Sequence, residues 1–238
     1  MELVAEVEPT RSREKLEKWI PPLKGLVDWI DIPESPLGVA RAHSIAVAHY
    51  IQRTYSIPSI AHIRVSDVNR VGLRSLVGAA VLLGVKRVVL LRGDKASDAE
   101  ACKDLSPEEA LREVERHGLG AVEGGLLVSA RKTPGEIEAR ISSKPSFILV
   151  LNATPQRMET VARIARRYAV RVYPYLIVET QANRWLIRQM PPYVPRYTSD
   201  GIVEIARKFA ALSDGLIVSV PGDYEGLHSV VEAIRSNI

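Results

Sequence analysis

Short apolar runs rich in β-branched residues alternate along the chain with longer segments of helical period, and the alternation recurs about every 30 residues. Eight such units are present. Their strands are predicted at 3–7 (LVAEV), 28–32 (DWIDI), 59–63 (SIAHI), 87–91 (RVVLL), 124–129 (GGLLVS), 147–151 (FILVL), 170–176 (VRVYPYL) and 215–220 (GLIVSV). Nearly continuous apolar runs suit strands covered on both faces, as in a parallel sheet. The segments between them carry helix punctuation: in SPEEALREVERHG, Ser106 can cap, Pro107 fits the first turn and Gly118 stops the helix. TPQRMETVARIARRY begins in the same way.

Eight strand–helix units within 238 residues predict an α/β chain folded as one closed (β/α)8 TIM barrel spanning 1–238. An open doubly wound sheet typically uses about five or six strands, and no G-x-G-x-x-G follows the first strand. The longest irregular stretch, QANRWLIRQMPPYVPRYTSDG, follows the seventh strand and contains Pro-Pro and Pro-Arg steps that break helix. An insertion there is expected to serve as a lid or as a contact in a homo-oligomer.

Composition then narrows the function classes. A net charge of +4 favours anionic partners such as phosphate-bearing cofactors, but the basic residues are scattered and aromatics make up only 5%. Nucleic acid is therefore not an expected partner. The chain has no run of about 18 uncharged apolar residues, and its N-terminus lacks the basic-then-apolar order of a signal peptide, so a cytoplasmic protein without a membrane role is expected. Cys102 stands alone, with no Cys or His at metal-ligand spacing, so no disulfide framework or zinc site is expected. Asn and Gln number four each, which leans thermophilic.

In this architecture chemistry is expected at the carboxyl ends of the strands. A period of two places Val4, Glu6 and Glu8 on one face, aimed at the barrel axis or its mouth. Two carboxylates there would repel and raise one pKa, which suits a general acid; the alternative is an ion pair from Glu6 or Glu8 to Arg11 or another arginine. The fourth strand ends in Leu91-Arg92-Gly93-Asp94, where Gly93 allows a tight turn close to a ligand and Arg92 and Asp94 offer one charge of each sign. The third ends in His62-Ile63-Arg64, followed by Ser66-Asp67-Val68-Asn69-Arg70. A lone barrel histidine is more often a structural hydrogen-bonder than a base.

In this order the fragments resemble the methylenetetrahydrofolate reductase family, flavin-dependent barrels that reduce methylenetetrahydrofolate to methyltetrahydrofolate. VAEVEPTR is similar to the family's opening acidic strand, and AHIRVSDVNRVGLRSLVGAAVLLGVKRVVLLRGD to its third-to-fourth strand segment with the Leu-Arg-Gly-Asp ending. DIPESPLGVARAHSIAVAHYIQ and DGLIVSVPGDYEGLHSVVEAI resemble the version fused to homocysteine methyltransferases, which implies one-carbon metabolism and methionine biosynthesis. The resemblance makes Glu6 the catalytic acid that protonates the pterin as its methylene bridge opens. It makes Asp94 a catalytic and pterin-contacting residue, and gives His62, Arg92 and Gly93 to the flavin. Asn152 stands where the family has the glutamine of a Thr-Gln step that contacts folate, and Lys144, in the shortened RISSKPSF, is the remnant of a flavin phosphate contact.

The implied cofactor is FAD, with FMN as the smaller alternative. The implied electron source is a nicotinamide or an electron-donating partner protein, and the substrate is methylenetetrahydrofolate or an archaeal methylene-pterin analogue. A second class of function is a degenerate barrel that binds a pterin or a partner protein without redox catalysis. A metal-dependent lyase or aldolase-like barrel would need a His/Asp/Glu cluster at ligand spacing or a lysine late in a strand, and neither is present.

Overall fold

The computed structural model describes residues 1–238. Its first half runs β1 (Glu2–Glu6), α1 (Arg13–Trp19), β2 (Trp29–Ile32), α2 (Ser44–Tyr55), β3 (Ser59–Arg64), α3 (Arg70–Leu83), β4 (Arg87–Leu91) and α4 (Pro107–His117). The second half runs β5 (Glu123–Ser129), α5 (Pro134–Ile141), β6 (Phe147–Leu151), α6 (Pro155–Arg167), β7 (Arg171–Glu179), α7 (Arg184–Ile187), β8 (Tyr197–Thr198), α8 (Ile202–Ala210), β9 (Gly215–Ser219) and α9 (Tyr224–Arg235).

Strands β1 to β7 and β9 are all parallel, and the β1–β9 and β7–β9 pairings close them into an eight-stranded barrel. Every predicted strand is present. The addition is β8, two residues that pair only with Val178 and Glu179 at the end of β7 and stand outside the ring. It exists because β7 runs past the predicted end at 176 to Glu179, leaving a free edge above the barrel for the returning insertion.

Alternation fixes what each strand shows to each side. Inward positions Val4, Ile60, Val89, Phe147, Leu149, Tyr173, Tyr175 and Ile217 fill the lumen as a core of their own. Outward positions join the helices in a larger core of 54 buried residues, so both strand faces are apolar. Two glycines make room for the inner rings: a Cβ on Gly125 would stand 2.5 Å from the ring of Phe147, and Gly215 backs Tyr173 in the same way.

Below this layer the amino-terminal end is closed by charge. Arg87, 5% exposed, pairs with Glu2 (2.8 Å) and Glu123 (3.0 Å), while its guanidinium lies 3.9 Å from the Trp29 ring centre. Tyr173 donates to Glu2 (2.6 Å) and Arg171 pairs with Glu123 (2.7 Å). Residues from β1, β2, β4, β5 and β7 thus meet across the axis and plug it.

The helices start where their caps are. Ser106 and Glu109 form a reciprocal capping box ahead of α4, as do Thr133 and Glu136 ahead of α5, each followed by proline. Each cap is worth about 1 kcal/mol. No helix is long and apolar enough to cross a membrane.

Candidate active site at the mouth of the barrel

Above the inner apolar layer, the last inward residue of each strand reaches the carboxyl-terminal mouth. On β1 this is Glu6, two residues after Val4, and its register partner on β2 is Asp31. Asp31 is fully buried. Its Oδ1 lies 2.8 Å from Nε2 of His62 on β3, and its Oδ2 accepts a hydrogen bond from the Tyr175 hydroxyl of β7 at 2.6 Å. The Ser219 hydroxyl, at the end of β9, donates to Glu6. Ser44, at the start of α2, donates to the His62 carbonyl (2.5 Å) and fixes the strand end beneath the ring. Five strands therefore converge on one polar cluster.

The environment sets the protonation of this cluster. Burial and the neighbouring Asp31 charge push the Glu6 carboxyl up to about 7, although the Ser219 hydrogen bond pulls the other way. Burial depresses His62, but the charge and hydrogen bond of Asp31, with Glu6 adding to them, outweigh it and leave the imidazole raised. Burial, reinforced by Asp31, holds the Tyr175 phenol well above its ordinary value, so it stays a donor. Near neutral pH the mouth thus holds a carboxyl poised between its two forms beside an imidazole that keeps its proton more tightly than usual. Glu6 finds its like-charged neighbour in Asp31 rather than mainly in Glu8, whose backbone N–H instead meets the Tyr224 hydroxyl (3.3 Å).

The rim is built by Arg64, the inward residue after His62. Its buried guanidinium donates to the carbonyls of Ser35 and Asp94, each at 2.6 Å, and pairs with Asp67 at 2.8 Å. This ties the β2–α2 loop to the β4–α4 loop. Ser35 (φ 42) and Leu37 (φ 58) are left-handed there, a conformation costing about 1 kcal/mol or more per non-glycine residue. The Arg64 bonds, and the Asp94 carboxylate accepting from the Leu37 N–H (3.1 Å), hold them in it. Gly93 has φ 86, and a Cβ on it would come 2.6 Å from Arg64 Nε. Its close approach is therefore to Arg64.

Of the residues expected from sequence to bind or react, Glu6 and His62 come together in the cluster. Arg92 and Asp94 stand exposed on the β4–α4 loop at the same end, with the Asp94 carboxylate engaged to Leu37. Asn152, left-handed at φ 56, follows β6 at this end and donates to Ser129 Oγ (3.1 Å). Lys144 requires a correction. It lies in the α5–β6 turn, before β6 begins, and so at the amino-terminal end with Arg87 and Arg171; it cannot share a ligand with His62.

Asp31, Tyr175 and Ser219 were not singled out from the sequence. The available signal was parity: Asp31, inside the apolar strand WIDI, is in phase with Trp29, which faces the lumen.

The insertion after β7 leans over this end. Thr180 donates to Asp223 (2.6 Å), Arg131 stacks on the Tyr193 ring at 3.8 Å, and Tyr197 donates to the Ala153 carbonyl (3.3 Å). Two surface clefts lie elsewhere, about 380 Å³ between α6 and α8 and about 590 Å³ beside Trp19 and Tyr224. Neither reaches the buried cluster. No three His, Cys, Asp or Glu side chains gather in metal-binding geometry.

An uncharacterized protein from Clostridium thermocellum that binds two copies of 5-methyl-5,6,7,8-tetrahydrofolic acid superposes with a TM-score of 0.69 at 12% identity, covering 99% of this chain and 95% of that one. Tryptophan synthase from M. tuberculosis gives 0.65 at 15% identity, over 100% and 92% of the two chains. A tryptophan synthase α-subunit from Pyrococcus furiosus gives 0.66 at 11%, over 99% and 98%. These likenesses show the barrel fold. No curated protein sequence matches the chain. The methylenetetrahydrofolate reductase family model matches residues 10–114, the stretch from just after β1 into α4 that carries Asp31, His62, Arg64 and the Arg92-Gly93-Asp94 turn, and over that stretch the chain is similar to that family.

Proposed function

We propose that the mouth of this barrel reduces a methylene-tetrahydropterin to its methyl form, with Glu6 as the acid. The observation that carries the reading is the place of Glu6 at the carboxyl end of β1, beside the buried Asp31 and under the Ser219 hydroxyl, where burial and the Asp31 charge raise its carboxyl to about 7. Opening the methylene bridge requires a proton on the departing nitrogen, and an acid whose pKa lies near ambient pH is both protonated enough and acidic enough to give it. Ser219 orients the Glu6 carboxyl, and the Asp31–His62 pair beside it supplies a fixed dipole. The ligand that the Clostridium protein is stated to bind, a 5-methyl tetrahydrofolate, is the product this reading assigns, which supports it.

A flavin fits one part of this end. The imidazole of His62, whose proton is favoured by its pairing with Asp31, and the exposed guanidinium of Arg92 would offer positive charge toward the edge of a flavin ring, which favours the reduced anionic form. When bound, FAD or FMN would supply the hydride, with a nicotinamide or an electron-carrying partner protein as its source. The lysine that the resemblance gives to the flavin phosphates, Lys144, lies at the opposite end of the barrel. That observation favours a second reading, in which the barrel holds a pterin or a partner protein without redox catalysis.

Glu6→Gln separates the proton from the shape. The variant should still bind ligand and accept electrons from its donor, while the pterin half-reaction falls by about 10²-fold or more. Stopped-flow measurement of both half-reactions checks this, and an unchanged pterin rate would remove Glu6 from the mechanism. Glu8→Gln should mainly shift the pH optimum. A purified protein that neither carries nor takes up FAD or FMN, but whose fluorescence is quenched by a methyl-pterin, would establish the second reading.

A further inference from the structure

We propose that Asp31 is the positioning residue of this mouth: tied to His62 on β3 and to Tyr175 across the lumen on β7, it fixes the proton inventory of the cluster around Glu6. The inference rests on the reading of Glu6 as the acid. A carboxylate with no exposure is costly unless partners satisfy it, and Asp31 has one partner on each oxygen. Of the two partners only His62 can carry a positive charge, so the Asp31 charge favours its protonated form. Tyr175 is not on a neighbouring strand, because β1 and β9 lie between β2 and β7. Its ring therefore crosses beneath Glu6 and Ser219, and Asp31 anchors the far end of that floor.

The charges around Glu6 make Asp31 the one that decides. From its own strand comes Glu8, from β2 Asp31, from β3 His62, from β7 Tyr175, from β9 Ser219 and from α9 Tyr224, while Glu34 of the β2–α2 loop faces His62. Among these groups Asp31 is the largest charge contribution to Glu6 and also the largest to His62. Its negative charge retains a proton on both. Neutralising it should release both protons at lower pH, whereas a loss of packing alone would not depend on that charge.

The experiment uses the full chain without ligand, so it does not require turnover. The protonated carboxyl of Glu6 is followed by its infrared carbonyl band, assigned by its absence in Glu6→Gln, and His62 by ¹⁵N NMR, assigned with His62→Gln. In the wild type His62 should remain cationic above the pH at which a free imidazole loses its proton. In Asp31→Asn both midpoints should move to lower pH by about one unit or more, so that at pH 6 the ionised fraction of Glu6 rises about fivefold. Tyr175→Phe loosens the same cluster but keeps the Asp31 charge, and should leave the Glu6 midpoint where it is or higher.

An Asp31→Asn protein whose Glu6 and His62 titrate as in the wild type would overturn the proposal. So would a Tyr175→Phe protein that lowers Glu6 equally. If Asp31→Asn does not fold, a neutral wild-type His62 at pH 6.5 is the overturning result and a cationic one the supporting result. A protein showing these shifts yet reducing no methylene-pterin would remove the functional reading and leave Asp31 in its role.

Discussion

An ionised Glu6 works against the fold that holds it. Its folded-state pKa is raised to about 7 from an ordinary 4.5, so the folded protein keeps a proton that the unfolded chain releases. This contribution favours the native state below pH 4.5, declines as pH rises from there, and is gone above about 7. His62 is also raised, so its contribution is complete below about 6.5 and is lost as pH climbs through its higher folded value. Glu6→Gln carries no such burden. Above pH 7 it should be more stable than the wild type by about 1 to 3 kcal/mol, the lower end allowing for solvent at the mouth. Denaturant melts of the two proteins at pH 5 and pH 8 check this, and a gap that does not widen with pH would contradict it. At this scale Glu6 and His62 were legible because each ends a strand on an inward position. Asp31 and Tyr175 were harder to find, since a single polar residue in an apolar strand looks alike whether it meets a partner across the lumen or not. Arg92 drew attention as the arginine of a recognisable turn, while Arg64, in phase with His62, is the one that builds the rim.

The elements follow from strong local signals where burial is two-sided. All eight barrel strands were legible from runs such as FILVL and RVVLL, and the capping boxes at Ser106 and Thr133 mark helix starts that the sequence announces. β8 was not legible, because two residues carry no period of their own and pair only where β7 offers an edge. Nor does a glycine in a strand say what it makes room for. Gly125 admits the Phe147 ring to the lumen, so Gly125→Ala should force that ring or the β5 backbone to shift and cost about 1 to 3 kcal/mol. For a chain of this size that lowers Tm by about 2–4 °C per kcal/mol, read by calorimetry. An unchanged Tm would show that the inner layer has slack.

Over the whole molecule, the insertion after β7 joins ends of the barrel that are distant in sequence. Beyond the β8 pairing with β7, its contacts include a hydroxyl on Asp223, a hydroxyl on the Ala153 carbonyl, and the Arg131–Tyr193 stack, the last worth about 0.5–1 kcal/mol for exposed groups. Arg131→Ala should therefore raise hydrogen exchange over 188–198 by about two- to fivefold and leave the strands unchanged. Uniform exchange across both proteins would mean the stack holds nothing.

The plug of Arg87, Glu2, Glu123 and Arg171 carries a consequence for traffic. The plug and the apolar layer above it leave no passage along the axis, so whatever reaches Glu6 must depart from the carboxyl-terminal end by which it came. Two reactants that need the same inner position cannot occupy it together and must take turns.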